Sequence, residues 1–562
     1  MKKNKQLNLY FEERPSLKKE KNESESRNNT VISIFLIVFV VICTRLIFLG
    51  FEKNDFVEAK NSERFFSERR DIVDSEGVIL AKNITTYDLV LRKSKVKNIQ
   101  GILLKVKLSF SEIDINNIKS EYQDKPIFIL KKNLSPSDYN KIVALGEPSL
   151  ELSKREVRIY PHKNLFAHIL GKVDVDNNGI SGMEMYLDEQ LRDKSNLNIP
   201  VQISLNANIQ YSIYEELLKG VQDFSALGAA VILMEANTGK IVSMVSLPDR
   251  DNNRRDEKES KNYLSKTTKA LYELGSVFKT FAIASAIENK AVTRETLFTN
   301  LRQRVYCGKF PIDEYRWDKS KSNLTVEQIL VKSSNIGTIE IIKKNGLENQ
   351  QKFLESIEIF DMPKLEVIEL SQSNKNRWGN CNTFTSGFGH GVSTTLLQLT
   401  RAYAAIVNGG ELVDSSILLK GRPVSGKRVI SKETSLIMND ILRANVDKKN
   451  KTHGSGRFAD IKGYDVIGKT GTAQKPSETE KGYSKEILNV FASAFPHKKP
   501  KYVLTVLIDE PKGAPQIWKH SRREAGWNAV YIAGRIIQKI GPSLAINDLD
   551  LRETYASNAK IN

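Results

Sequence analysis

At 562 residues and 63.5 kDa, with 40% hydrophobic and 27% charged residues, the chain has the composition of a folded protein with at least one large core, which excludes a disordered tail or a miniprotein. A net charge of +18 favours an anionic partner without choosing among nucleic acid, lipid headgroups and polyanions. The three cysteines, Cys43, Cys307 and Cys381, have no Cys-x-x-Cys spacing and the six histidines no metal-ligand spacing, so metal and thiol chemistry is disfavoured and no metal is expected.

The chain opens with a polar, Lys-rich stretch, residues 1–30, and turns apolar at Val31-Ile32-Ser33-Ile34-Phe35-Leu36-Ile37-Val38-Phe39-Val40-Val41-Ile42-Cys43. Extended past Arg45 to Phe51 the run reaches about 21 residues, which at ~1.5 Å each covers a ~30 Å hydrocarbon core. Cations from Lys2 to Arg27 place the N-terminus in the cytoplasm by the positive-inside rule. No small-residue cleavage site follows, so residues 31–51 are predicted to be an uncleaved single-pass anchor in the cytoplasmic membrane, with residues 1–30 as a cytoplasmic tail. Chemistry outside the membrane must run without ATP or nicotinamide; Gly-x-Gly-x-x-Gly is absent, and the one Gly-x-x-x-x-Gly-Lys-Thr spelling, at 463–470, ends a strand-like run with no helix opening after it, so no phosphate loop is read and no cofactor is expected. An oxidising compartment permits a Cys307–Cys381 disulfide, but two buried free thiols are the expectation.

Residues 52–204 mix short alternating strands, at 87–91 and 126–130, with charged turns and hold no cluster of catalytic type, so they read as a non-catalytic α+β pedestal. A second domain, 205–545, starts with apolar runs at 227–234 and 241–245 flanking the turn Glu235-Ala236-Asn237-Thr238-Gly239-Lys240, a β-hairpin. The charged stretch 249–261 reads as a solvated loop at the cleft rim. Helical stretches at 279–288 and 396–407 precede strand-like runs at 464–467, 490–495 and 502–508 and an apolar helix at 529–540; residues 546–562 read as a tail. An antiparallel sheet made from both ends of the domain, with a helical insert between, is the expected α+β architecture.

Ser276 and Lys279 stand at i and i+3 in Tyr272-Glu273-Leu274-Gly275-Ser276-Val277-Phe278-Lys279-Thr280, ahead of a helical run. On one helix face the lysine Nζ can reach the serine Oγ, as an acylating serine requires. Alone, Ser-x-x-Lys is common by chance and reads equally as a helix cap followed by a surface lysine. Two further segments change this: Lys332-Ser333-Ser334-Asn335 and Ile467-Gly468-Lys469-Thr470-Gly471-Thr472. In this order the three resemble the signature of β-lactamases and penicillin-binding proteins, with Ser334 in place of the middle Asp. Gly387-Phe388-Gly389-His390-Gly391-Val392, with Thr395, Gln398, Tyr403 and Asn408-Gly409-Gly410, extends the resemblance to the transpeptidases.

The pedestal is similar to that of the class B, single-function branch. Arg69-Arg70-Asp71-Ile72-Val73-Asp74-Ser75-Glu76-Gly77 resembles its Arg-Gly-x-Ile-x-Asp-Arg-x-Gly segment, from which Arg70 and Ser75 depart. A second such segment runs from Arg158-Ile159-Tyr160-Pro161 to Gly182-Met183-Glu184, and Leu274 stands where the family has proline. Val173-Asp174-Val175-Asp176-Asn177-Asn178-Gly179 and Val506-Leu507-Ile508-Asp509-Glu510-Pro511-Lys512 look most like the septal, FtsI-type enzymes. The resemblance implies a membrane-anchored, extended pedestal followed by a β-lactamase-like transpeptidase domain, an antiparallel five-stranded sheet with a helical subdomain.

It also implies roles. Ser276 would attack the carbonyl of a D-alanyl-D-alanine stem peptide, with Lys279, kept neutral by burial and by Lys469, as the base. Ser333 would bridge the two lysines and pass a proton to the leaving amine, while Asn335 would hold the substrate amide. Thr470 and Thr472 would bind the terminal carboxylate beside Lys469. The backbone N–H groups of Ser276 and Thr472 would form the oxyanion hole, and Gly471 would keep the strand edge clear for substrate. By the same resemblance the chain would be a peptidoglycan D,D-transpeptidase of septal cell-wall synthesis, its catalytic domain extracytoplasmic. Its ligands would be stem peptides and β-lactams, its partners a polytopic glycosyltransferase and divisome proteins, and it would bind no nucleic acid. An elongation-specific transpeptidase, a carboxypeptidase or β-lactamase, and an inactive or β-lactam-sensing scaffold stay open as alternatives.

Overall fold

The computed structural model describes residues 32–45, 69–114, 125–254, 263–373, 379–419, 426–477 and 482–558, with the single positions 29 and 118, and side chains as far as 548. The chain divides into two units, residues 1–66 and 67–562. In the first, residues 32–45 are helical and their apolar side chains, Phe35 and Phe39 among them, are exposed. Residue 31 and residues 46–51 of the expected anchor lie outside the described residues, and no described helix is long and apolar enough to cross a membrane.

In the second unit the pedestal is built on a five-stranded sheet. Strands Ile127–Lys131, Ile79–Arg92, Ile72–Val73 and Val201–Gln202 lie in that order, and Leu150–Ile159 pairs antiparallel with Ile79–Arg92. Leu89, Leu91, Ile102, Val106, Phe110 and Phe128 close a small core between this sheet and helix Ile99–Ser109. A polar cluster holds the other end of the pedestal. The Glu184 carboxylate lies 2.6 Å from Arg69 and 2.7 Å from Arg158, with all three side chains inaccessible to solvent, and Arg69 reaches on to Asp188 at 2.5 Å. Such buried charges persist only when paired and hydrogen-bonded, so this cluster fixes the two pedestal segments to each other.

The pedestal shares a core with the catalytic region: Ile72, Leu80, Tyr160, Phe166 and Met183 belong to one apolar cluster with Ala230, Ile232, Met244 and Ile417. The stretch 249–261, expected to be a solvated loop, begins as part of this junction instead. Asn252 is buried and donates to Ala167 O at 3.1 Å and Gly171 O at 2.5 Å, while the Asn253 side chain bonds both main-chain groups of Tyr160. Asn side chains satisfy backbone groups that have no secondary-structure partner, which the charge pattern of the stretch conceals. Residues 255–262 lie outside the described residues.

Five strands form the catalytic sheet: β1 (Gly228–Glu235), β2 (Ile241–Leu247), β3 (Ile467–Pro476), β4 (Tyr483–Phe495) and β5 (Tyr502–Asp509). They are antiparallel in the order β3-β4-β5-β1-β2, so β3 is an edge strand. The helices of this region include α1 (Ala207–Asp223), α2 (Lys279–Glu288), α3 (Asn335–Asn345), α4 (Leu396–Val407), α5 (Lys432–Val446) and α6 (Ala529–Asn558). Along β1, Ala229, Val231 and Leu233 join the core with Ile213 of α1 and Ile536 of α6, while Ala230, Ile232 and Met234 join the core with Leu399 and Tyr403 of α4. Burial on both faces is why this strand reads as an unbroken apolar run.

Three expectations need correction. The strand expected at 464–467 begins only at Ile467, and β3 runs on to Pro476, because its outer half alternates polar residues along a sheet edge and leaves no apolar run to read. α6 continues through 545 to Asn558, so the residues taken as a tail begin as helix; Ile536, Ile540 and Leu544 stay buried at i, i+4 spacing, and Asp548 accepts from the Tyr502 hydroxyl at 3.0 Å. Cys307 and Cys381 are joined in a disulfide and are not free thiols. It ties the hairpin of Arg304–Cys307 and Phe310–Asp313 to helix Asn380–Ser386, a proximity that a separation of 74 residues hides in the sequence.

Candidate active site

Ser276 sits on a single 3-10 turn, Gly275–Phe278, that runs directly into α2. Gly275 has φ +62°, and a Cβ there would lie 2.6 Å from Thr472 O, so only glycine lets the turn lie against β3. Every residue of α2 from Lys279 to Ile287 is buried, which makes this helix the axis of the domain and fixes Lys279 inside the protein.

The Lys279 Nζ lies 2.9 Å from Ser276 Oγ, 2.7 Å from Ser333 O, 2.7 Å from Asn335 Oδ1 and 3.2 Å from Ser333 Oγ. Ser333 adopts φ +54° between helix Val326–Val331 and α3, a left-handed turn that presents both its carbonyl and its hydroxyl to the lysine. Ser334, buried, caps α3 by accepting the Gly337 N–H at 2.9 Å. From β3, Lys469 donates to Ser333 Oγ at 3.0 Å and to Thr470 O at 3.1 Å. The three sequence motifs therefore meet at one hydroxyl, that of Ser333.

Both lysines are fully buried, while Ser276 and Asn335 are half-buried at the mouth of the cleft. Burial first, and the Lys469 charge second, hold Lys279 well below the ordinary lysine value, with Glu314 opposing. Burial pulls Lys469 down to about 7. A pair of lysines in this state holds a neutral amine beside Ser276 near neutral pH.

The remaining expected binding residues line the same cleft. Thr470 Oγ1 shares a hydrogen bond of 2.6 Å with Ser455 Oγ, and the exposed Thr472 accepts the Ala525 N–H through Oγ1 at 3.2 Å. Asn335 is engaged at both ends of its amide, since Nδ2 donates to Asp313 O at 3.2 Å. Gly471 has a different reason from the one expected. A Cβ there would lie 2.1 Å from Leu274 O and 2.8 Å from Val490 Cγ1, so the Ser276 turn itself, rather than a substrate on the outer edge, requires glycine.

Several site residues give no sequence signal. Glu314 accepts hydrogen bonds at the start of α3, yet its loop carries no motif. His390, within the Gly387–Val392 segment, bonds Thr385 O through its main-chain N–H. Its imidazole stacks 4.8 Å from the Tyr483 ring and lies 3.7 Å from the Glu273 carboxylate, which also accepts the Tyr483 hydroxyl at 3.0 Å. These residues form a rim joining the Ser276 side of the cleft to the β3–β4 hairpin.

A serine contacted by a buried lysine, a second serine bridging that lysine to another, and an edge strand passing the first serine constitute a serine acyl-transfer site. The chain matches the family "Penicillin binding protein transpeptidase domain" over residues 229–533 and "Penicillin-binding Protein dimerisation domain" over residues 66–210. It is 30% identical over 502 residues to the probable peptidoglycan D,D-transpeptidase FtsI of Caulobacter vibrioides, covering 88% of this chain and 84% of that one. It is 27% identical over 528 residues to the probable peptidoglycan D,D-transpeptidase PenA of Neisseria meningitidis (87% and 89% covered), and 26% identical over 573 residues to stage V sporulation protein D of Bacillus subtilis (92% and 85%). The solved structure of a mycobacterial penicillin binding protein 3 complexed with aztreonam superposes with a TM-score of 0.65 at 20% identity, over 84% of this chain and 96% of that one, and shows the same fold. The protein belongs to the penicillin-binding protein transpeptidase family.

Proposed function

We propose that this protein is a peptidoglycan D,D-transpeptidase that cross-links stem peptides through an acyl-enzyme on Ser276, and that it acts in septal wall synthesis. The observation that carries the reading is the hydrogen-bond set of Lys279. Ser333 O and Asn335 Oδ1, each at 2.7 Å, are carbonyl oxygens that only accept, so they use the two N–H groups of a neutral amine. In the neutral form that burial favours, the remaining lone pair can accept from the Ser276 hydroxyl at 2.9 Å, and Lys279 serves as the base.

In this reading Ser276 Oγ attacks the carbonyl of the penultimate D-alanine as Lys279 takes its proton, and the backbone N–H groups of Ser276 and Thr472 receive the oxyanion. The proton returns through Ser333, which touches both lysines, to the departing D-alanine amine as the C–N bond breaks. Lys469, Thr470 and Thr472 take the substrate's terminal carboxylate, and Asn335 holds its amide. An amine from a neighbouring stem then attacks the acyl-enzyme and releases Ser276 with the cross-link formed. A β-lactam enters the same path but keeps its leaving amine tethered after ring opening.

The relatives named FtsI and PenA support the D,D-transpeptidase assignment, and the FtsI-like segments support the septal role. The residue divisions 1–30, 31–51, 52–204 and 205–545 remain part of this proposal, with 546–562 as a C-terminal segment that begins inside α6. So do the N-terminal anchor, an extracytoplasmic catalytic region, and pairing with a polytopic glycosyltransferase and division proteins. A stem peptide ending in D-alanyl-D-alanine, supplied with an amine acceptor, tests the chemistry. Release of D-alanine matched by cross-linked product is expected, and release without product would mean a carboxypeptidase. Depletion in cells tests the role: filaments are expected, whereas rounding or bulging would assign elongation.

A further inference from the structure

Ser333 acquires its place between two lysines from a turn, and the turn is held by an acid outside all three motifs. Glu314 is buried, and its carboxylate accepts the Ser334 hydroxyl at 2.6 Å, the Ile336 N–H at 3.1 Å and the Asn335 N–H at 3.2 Å. The two amides belong to the first turn of α3, an 11-residue helix, so a carboxylate there meets the positive end of the helix and its unpaired donors. The Ser-x-Asn element carries Ser334 where the related signature has Asp. The negative charge at this helix end thus comes from a separate segment, and the Ser334 hydroxyl donates to it.

A single residue separates this acid from the base. Asn335 gives its main-chain N–H to Glu314 and its Oδ1 to Lys279 at 2.7 Å. The charged groups facing Lys279 among the described residues are Lys469 from β3 and, from the loop after residue 313, Glu314 and Lys321; Ser276, Ser333 and Asn335 complete its surroundings and are neutral. Glu314 is the only anion in this set. Lys321, itself buried, lies 3.6 Å from the Glu314 carboxylate and also bonds Tyr315 O.

We propose that Glu314 is a positioning residue for acyl transfer: it pins the Ser333–Asn335 turn against Lys279 and, as the anion of this set, determines the pH at which Lys279 becomes free to act. Lys321 is its counterweight. Loss of the Glu314 charge leaves the pair with uncompensated positive neighbours, so the proton departs at lower pH; loss of the Lys321 charge does the reverse. The inference rests on the acyl-enzyme reading, with Lys279 as the base.

The test is the rate of acylation of the full-length protein by a fluorescent penicillin as a function of pH, with Glu314→Gln and Lys321→Met. The acidic limb, which reports proton loss from the coupled lysine pair, is expected about one pH unit lower in Glu314→Gln. It is expected to move to higher pH in Lys321→Met. The plateau rate of Glu314→Gln is expected to fall at least tenfold, because an amide has one acceptor oxygen where the carboxylate uses two for its three donors. A merely structural role would lower the melting temperature with the acidic limb in place, and a limb unmoved in both folded variants overturns the proposal. If Glu314→Gln fails to fold, Lys321→Met alone decides the matter, since a limb that stays or moves to lower pH contradicts the proposal and one that moves to higher pH supports it. Failure of the wild-type protein to label at Ser276 would instead refute the acyl-enzyme reading, and this assignment with it.

Discussion

Lys279 and Lys469 converge on one hydroxyl, their Nζ atoms 3.2 and 3.0 Å from Ser333 Oγ, in a region where neither lysine is accessible to solvent. Two ammonium groups this close in a dry interior repel strongly, so the pair holds at most one proton near neutral pH. The site is thus kept at the expense of stability, and that cost is measurable.

Lys469, drawn down to about 7 in the folded state against an ordinary value of 10.5, binds its proton more weakly than in the unfolded chain. The resulting destabilisation is complete below pH 7 and fades as pH rises toward 10.5, where the unfolded state also loses the proton. Lys469→Met is expected to raise stability at pH 6–7 by an amount on the order of a few kcal/mol, with the gain vanishing near pH 10, and to slow acylation by at least about a hundredfold. Denaturant melts at several pH values check this, and a pH-independent difference would contradict it.

Gly471 separates β3 from the Ser276 turn, where a Cβ would meet Leu274 O at 2.1 Å. Gly471→Ala must push the turn away from Thr472. It is expected to cost about 1–3 kcal/mol and to slow penicillin acylation more than tenfold. Stopped-flow labelling that finds a wild-type rate would show that the turn can shift without cost.

Glu184 neutralises two inaccessible arginines, Arg69 and Arg158. Glu184→Gln leaves Arg158 buried without its carboxylate and Arg69 with Asp188 alone, and is expected to destabilise the protein by about 3–5 kcal/mol. Urea unfolding measures the loss, and a change below about 1 kcal/mol would mean that water or other groups compensate the arginines.

The disulfide closes a segment of 74 residues and in the chain-entropy account contributes about 4 kcal/mol. Denatured, unreduced protein is expected to alkylate once, at Cys43, and three times after reduction. Cys307→Ser with Cys381→Ser is expected to lower the denaturation midpoint. Three alkylations without reductant would refute the pairing.

Much of the fold and site is legible in the residues because it is local. The hairpin of β1 and β2, the helices α2 and α4, and the three motifs are contiguous patterns whose period or spacing survives in the chain. What escapes is made of contacts between distant segments. Glu314 reaches α3 from a loop without a motif, His390 meets Tyr483 across the cleft rim, and Cys307 meets Cys381, none of which leaves a period. The reason for Gly471 is hidden in the same way, since its neighbour Leu274 comes from another segment.

The central claim is that Ser276 is the acylated nucleophile. Intact-mass measurement after incubation with penicillin, with Ser276→Ala alongside, tests it most directly. The account predicts one stable adduct, located on Ser276 by peptide mapping, and none on the folded Ser276→Ala protein. Labelling of Ser276→Ala, or a folded wild-type protein that takes up no penicillin, would contradict it.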